Sequence, residues 1–132
     1  MGAIADITNG EKIYDSGLDS VVIRRYDAGI IGGRTLDVTD FPDNVIKAGH
    51  AIIYEAATDT YKPMPVKDGK YSTLPESHTY AGILVASIVA KKPFAAILTV
   101  GEINDKAVAY EFTEEMKEAI IKALPGIMFT HD

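Results

Sequence analysis

Two apolar blocks constrain this chain most: residues 80–90 and residues 94–103. The short connector Ala90-Lys91-Lys92-Pro93 sets one against the other. Each block has the length of a strand and is apolar at nearly every position, as in a strand covered on both faces. A buried helix would share that lack of period. Gly82, Val85, Ile88, Val89, Thr99 and Gly101 tip the choice toward extended chain, because glycine and β-branched residues weaken helices. Together with residues 45–66 the blocks make the whole middle of the chain, 45–104, β-rich. Almost nothing reactive lies inside either block. Such a centre fits a protein that binds through its surface better than one that catalyses.

Shorter strands surround this centre. Residues 20–26 contain Val21, Val22 and Ile23 and predict a strand. Residues 30–38 predict another, interrupted by a glycine bulge at Gly32-Gly33. Turn chemistry follows in Asp40-Phe41-Pro42-Asp43-Asn44. Residues 45–47 are short and extended, and Ala48-Gly49 turns them. A strand over Ala51–Glu55 then folds back through Thr58-Asp59-Thr60 into residues 61–66. Pro63 and Pro65 cannot donate to a ladder, so that return strand belongs at a sheet edge. Asp68-Gly69 marks a tight turn, and residues 74–77 a loop. Asn104-Asp105 turns the chain into a last predicted strand over residues 107–112.

One helix is expected, over residues 113–124. Thr113 is a suitable N-cap, and Glu114 and Glu115 place negative charge at the positive end of the helix dipole. Met116, Ala119, Ile120, Ala123 and Leu124 recur with helical period and form one apolar face. Lys117 and Lys122 fall on the wet side. Pro125-Gly126 stops the helix. Residues 1–18 carry Gly2, Gly10 and Gly17 among isolated apolar residues and predict a flexible N-terminal arm. Ile4, Ile7, Ile13 and Tyr14 are its candidate partner-binding residues, set to pair with a neighbour's sheet edge. Residues 19–132 are then a single β-rich domain.

Composition removes several function classes. The chain has 132 residues, no cysteine and a net charge of −6. Disulfides, thiolate metal sites and cysteine nucleophiles are excluded. The acidic balance argues against nucleic acid and against anionic membrane as partners. No apolar run approaches the roughly 18 to 20 residues that span a bilayer, and the first residues lack the basic and apolar regions of a signal peptide. The expected site of synthesis is the cytoplasm.

The chemistry-bearing residues are scattered. His50, His78 and His131 stand far apart, with no ligand partner at helical spacing, so no metal or other cofactor is expected. No serine lies in a nucleophile elbow. Gly29-Ile30-Ile31-Gly32-Gly33 lacks the spacing and the following Lys-Ser/Thr of a phosphate loop. Glu55 and Asp59 flank a predicted hairpin turn, and Glu102, inside an apolar strand, must be at an edge or paired. Tyr54, Tyr61, Tyr71 and Tyr80 lie near strand ends as half-buried cover or as interface anchors. No catalytic residue is assigned.

Five pieces carry a family likeness: Lys47-Ala48-Gly49, Tyr61-Lys62-Pro63, Ala81-Gly82-Ile83-Leu84, Ala95-Ala96-Ile97-Leu98 and Gly101-Glu102-Ile103-Asn104. In this order, closed by a helix and Leu124-Pro125-Gly126-Ile127, they resemble the head-decoration and head-fibre proteins of tailed bacteriophages. The resemblance implies a compact β-clip-like domain with one C-terminal amphipathic helix. It implies a homotrimer bound to the major capsid protein on the outside of a phage head, without enzymatic activity. The chain would be made in the cytoplasm of a bacterial host, whether from a free phage or a prophage. The added strands over residues 20–38 are closer to the head-fibre branch than to the compact decoration proteins. Two other function classes compete. One is a β-clip-type module for a small molecule or carbohydrate, the other an enzyme whose acids converge from separate strands. A deep pocket with convergent polar groups would favour either.

Overall fold

The computed structural model describes residues 19–131. Ile4, Ile7, Ile13 and Tyr14 lie outside the described residues. Within them the protein is mainly β, as the sequence predicts. A one-turn helix α1 (Asp19–Val22) leads into β1 (Ile23–Gly29) and then β2 (Arg34–Thr35), β3 (Val45–Ile46), β4 (Ala51–Glu55) and β5 (Thr60–Pro63). A small hairpin, β6 (Val66–Lys67) and β7 (Lys70–Tyr71), precedes β8 (His78–Leu84), β9 (Ile88–Val89), β10 (Phe94–Ala95) and β11 (Ile97–Asn104). Helix α2 (Glu114–Ala123) and β12 (Ile127–Thr130) complete the order.

Six strands form the main sheet, in the order β12-β11-β8-β4-β5, with β1 on the other edge of β11. All neighbours are antiparallel except β11 and β12, which run parallel across the connection made by α2. Only a crossover can join parallel neighbours, and α2 supplies it. The β5 strand ends the sheet, as Pro63 favours, and stops there, so the expected strand over residues 61–66 is cut short before Pro65. Its free edge is closed by Leu36, which bridges to Tyr61, and by Asp37, whose N–H donates to the Tyr61 carbonyl at 2.8 Å.

The central strands bury both faces. Ile52, Leu84 and Ile97 join Leu36, Ile46 and Ala95 on one side. Ile53, Ile83 and Leu98, each one residue along, join Ile103, Met116, Ile120 and Ile127 on the other. The two-residue period of a strand thus feeds two cores from one sheet. Each fully buried Ile or Leu contributes roughly 1.5 to 3 kcal/mol.

Neither apolar block is one strand. The first ends at Leu84, bends at Ala86 and resumes as β9, which pairs with β3. The second breaks at Ala96: Phe94–Ala95 pairs with β2, and only Ile97–Asn104 enters the main sheet. The blocks meet directly at Ile97 opposite Leu84 and Leu98 opposite Ile83. Each run is continuously apolar because it serves a main sheet and a satellite ladder in turn.

Four local expectations need correction. Residues 20–22 are helical, because Asp19 is anchored by the N–H of Ser87 at 2.8 Å and its hydroxyl at 2.7 Å, while Val22 packs into the core. Residues 30–33 form a turn, closed by Gly33 N–H to the Ile30 carbonyl at 3.1 Å with both glycines at positive φ. Residues 107–112 bend and do not pair. Both sides of β11 are already occupied by β1, β8 and β12, so the segment has no free edge, and Val108 and Phe112 pack on the core instead. Residues 127–130, absent from the sequence reading, supply β12.

Helix α2 has the expected frame. Met116 N–H donates to the Thr113 hydroxyl at 3.1 Å, and Met116 and Ile120 are buried. The docked face is narrower than the apolar stripe: Leu124 is half-buried, while Ala119 and Ala123 are exposed. Lys117 is not on the wet side, as the next section shows.

Candidate functional site

Histidine chemistry is consumed by structure. His50 follows Gly49, whose φ of +92° carries the chain between Val22 and Val108. It is 3% exposed, and Phe41, Tyr71 and Tyr110 meet its ring edge-on. Its Nε2 lies 2.8 Å from the Met64 carbonyl and must donate to it. Burial pushes the ring down from 6.5 to about 4, against the opposing pull of that hydrogen bond, so it is neutral at physiological pH. The neighbouring Tyr71 hydroxyl is raised, chiefly by burial, and accepts from Ala51 N–H at 3.1 Å.

His78 belongs to a different cluster. Strands β4, β5 and β8 place Glu55, Lys62 and His78 side by side. Lys62 Nζ donates to Glu55 Oε1 at 3.2 Å and stands 3.2 Å from His78 Nε2. The other ring nitrogen, Nδ1, faces the Glu76 carbonyl at 2.8 Å and must carry the proton. Glu55 also accepts from the Thr58 hydroxyl, and together the Thr58 and Lys62 hydrogen bonds hold its carboxyl below the usual range. Asp59, across the same turn, accepts from the Tyr54 hydroxyl at 2.8 Å. Glu55 and Asp59 do flank the β4–β5 turn, but each already has a structural partner.

A third cluster ties down the C-terminal part. The Asp105 side chain is 4% exposed and takes Lys117 Nζ on one oxygen and His131 Nδ1, at 2.7 Å, on the other. Burial alone would raise this carboxyl. The hydrogen bonds and charges of Lys117 and His131 outweigh it and keep it below its ordinary value. Lys117 therefore faces Asp105. Glu102 is paired, as expected, with Arg24, Arg25 and the Thr130 hydroxyl.

No two of these clusters converge on a cleft. Among the described residues no group of three or more His, Asp or Glu side chains is arranged to hold a metal ion. No helix among them is long and apolar enough to cross a membrane. Three concavities are partly open. One of about 350 Å³ lies between Arg34 and Tyr61, and one of about 130 Å³ beside Asp19 and Lys47. The third, about 270 Å³, has a floor of Phe41, Ile53, Pro63, Pro65 and Pro75 and is lined as well by Asp37, Asp40 and the paired Lys62 and His78.

The surface offers a more distinctive feature. Ile31 is 93% exposed at the apex of the turn after β1, and Phe94 is 58% exposed on β10. They belong to one knob: a Cβ on Gly33 would stand 3.0 Å from the Phe94 ring, and Phe94 lies opposite Thr35. Arg34 adjoins it, Lys91 and Lys92 lead into Phe94 along the chain, and all three are exposed. Arg34 gives its Nη1 to the Ile31 and Gly33 carbonyls. Sequence reasoning missed this knob. The available signal was Lys91-Lys92-Pro93-Phe94, two charges and an aromatic at a strand connection, where a buried residue would not be placed. The four tyrosines do lie where expected: Tyr54, Tyr61, Tyr71 and Tyr80 are half-buried, with the Tyr54 and Tyr61 rings tilted by 42° at 4.7 Å between centres.

Compared with protein families, curated proteins and solved structures, the chain matches none of them.

Proposed function

We propose that this protein is a non-enzymatic structural component of a phage head, a head fibre or capsid-decoration protein bound to the major capsid protein on the particle exterior. The observation that carries the reading is the division of labour among side chains. The interior histidines and carboxylates are bound to one another or to backbone, while Ile31, Phe94 and Tyr26 stand in solvent. Exposed large apolar groups beside charged ones are the surface chemistry of assembly. The resemblance of the β-rich middle to decoration and head-fibre proteins is the second support, and it brings the expectation of a homotrimer. A small-molecule module encloses most of its ligand; the three concavities are only partly enclosed, and the one that gathers Asp37, Asp40, Lys62 and His78 is where such a ligand would have to sit.

In this reading residues 1–18 are the arm that engages the capsid lattice, through Ile4, Ile7, Ile13 and Tyr14. An arm that orders on binding loses roughly 1 to 2 kcal/mol of conformational entropy per residue, and several arms on one oligomer offset this by avidity. Deleting residues 2–18 should leave the melting temperature and oligomeric state unchanged and abolish cosedimentation with heads of the encoding phage. A truncated protein that still cosediments would refute the arm's role.

A further inference from the structure

We infer that copies of this protein associate head to tail, the knob of Ile31 and Phe94 on one copy entering the proline-lined groove of the next. The inference deepens the proposed reading by naming the surfaces of the oligomer, and it rests on that reading's expectation of a closed assembly.

Charge complementarity points to the occupant. The chain carries a net charge of −6, yet Arg34 sits beside Ile31 and the exposed Lys91 and Lys92 immediately precede Pro93-Phe94. Arg34 is spent on backbone carbonyls and on the face of Tyr61, 5.7 Å from its ring centre. Among the described residues neither Lys91 nor Lys92 has an ion-pair partner. The groove presents the opposite character. Its floor is apolar and its rim holds Asp37 and Asp40, while Lys62, which also lines it beside His78, is already paired with Glu55 at 3.2 Å. Thr39 occupies one oxygen of Asp37, through its N–H at 3.1 Å and its hydroxyl at 2.5 Å, and its hydrogen bonds hold that carboxyl low, so it stays charged. Asp40 is exposed. Basic-and-apolar therefore meets acidic-and-apolar on the same polypeptide.

Size agrees with this pairing. An apolar cavity of about 150 Å³ takes up a benzene ring, and the groove measures about 270 Å³, enough for the Phe94 ring and the stem of a lysine. An aromatic anchor seated among apolar residues and ringed by ion pairs is the usual centre of a protein interface. Knob and groove are different surfaces, so the contact is heterologous and closes only as a ring.

The absence of cysteine makes the test direct. Full-length chains carrying Lys92→Cys and chains carrying Asp40→Cys, mixed and mildly oxidised, should form a mixed disulfide between the two variants far faster than either forms with itself. By sedimentation, Phe94→Ala should raise the dissociation constant at least tenfold. Lys92→Glu and Asp40→Lys should each weaken the oligomer, and the two combined in one chain should restore it. All three residues are exposed, so unchanged melting temperatures will show that the fold is intact. A wild-type monomer at micromolar concentration would overturn the inference, as would an oligomer indifferent to Phe94→Ala and Lys92→Glu. If those variants keep the oligomer and lose only head attachment, the knob serves the capsid and the head-to-tail contact is refuted. If the wild type forms the ring but never binds heads, the inference stands and the virion reading fails.

Discussion

At the scale of single residues, pH dependence follows from His50. Its folded value is depressed, so the unfolded chain binds the proton more readily. Stability from the neutral buried ring is complete above about pH 6.5 and is lost as pH falls toward about 4. Between pH 7 and pH 5 the loss should be about 2 kcal/mol, read as a lower urea midpoint. His50→Gln, whose amide can donate to the Met64 carbonyl, should flatten that interval; an unchanged slope would show that another group titrates there. Asp105 has the same sign in a lower window: its carboxyl is depressed, so its contribution is present above the ordinary carboxylate range and disappears on further acidification. Asp105→Ala removes the partner of His131 and leaves Lys117 only the longer contact to the exposed Glu114, at 3.5 Å. We expect a loss of about 2 to 4 kcal/mol, toward the lower side for a buried pair because Lys117 keeps some access to water. Equal stability of variant and wild type would mean that the pair only breaks even.

At the scale of elements, helix α2 is the clearest case of a sequence specifying its own docking. Thr113, the acidic first turn and Pro125 set its ends, and Ile120 has no solvent exposure. Ile120→Asp should cost several kcal/mol, as for any charge forced into a core; an unchanged melting temperature would show the helix undocked. The elements that were legible from sequence are those with local signals, such as Ala51–Glu55 between turns and the Asp68-Gly69 hairpin, where both residues adopt positive φ. The illegible ones depend on distant partners. Val21-Val22-Ile23 has strand propensity throughout, yet Asp19 is held by Ser87, and tertiary anchoring overrides propensity there. Residues 107–112 alternate like a strand, but both sides of β11, the strand they leave, are already paired. Gly101 shows the same limit: a side chain there would strike the Arg25 carbonyl and Leu98, a requirement set by strands far apart in sequence. Gly101→Ala should therefore destabilise by about 1 to 3 kcal/mol through overpacking, measurable by thermal unfolding.

At the scale of the whole molecule, a two-faced sheet whose reactive side chains are held in structural pairs leaves Ile31 and Phe94 exposed, the surface to which the proposed function assigns assembly. Part of that surface was beyond sequence reasoning. Phe94 sits in an apolar block and looks like core, and only its pairing with the short β2 turns it outward. Asp40 and Phe41 look like an ordinary turn, and they become part of a groove only because residues 36–37 close the β5 edge. The measurement that tests the central claim most directly is a binding isotherm of full-length protein on purified heads of the encoding phage, with bound protein counted against capsid protein. The account predicts saturation at a fixed ratio set by the lattice, with the bound protein on the particle exterior. Absence of binding at micromolar protein, or uptake that rises without saturating, would contradict it.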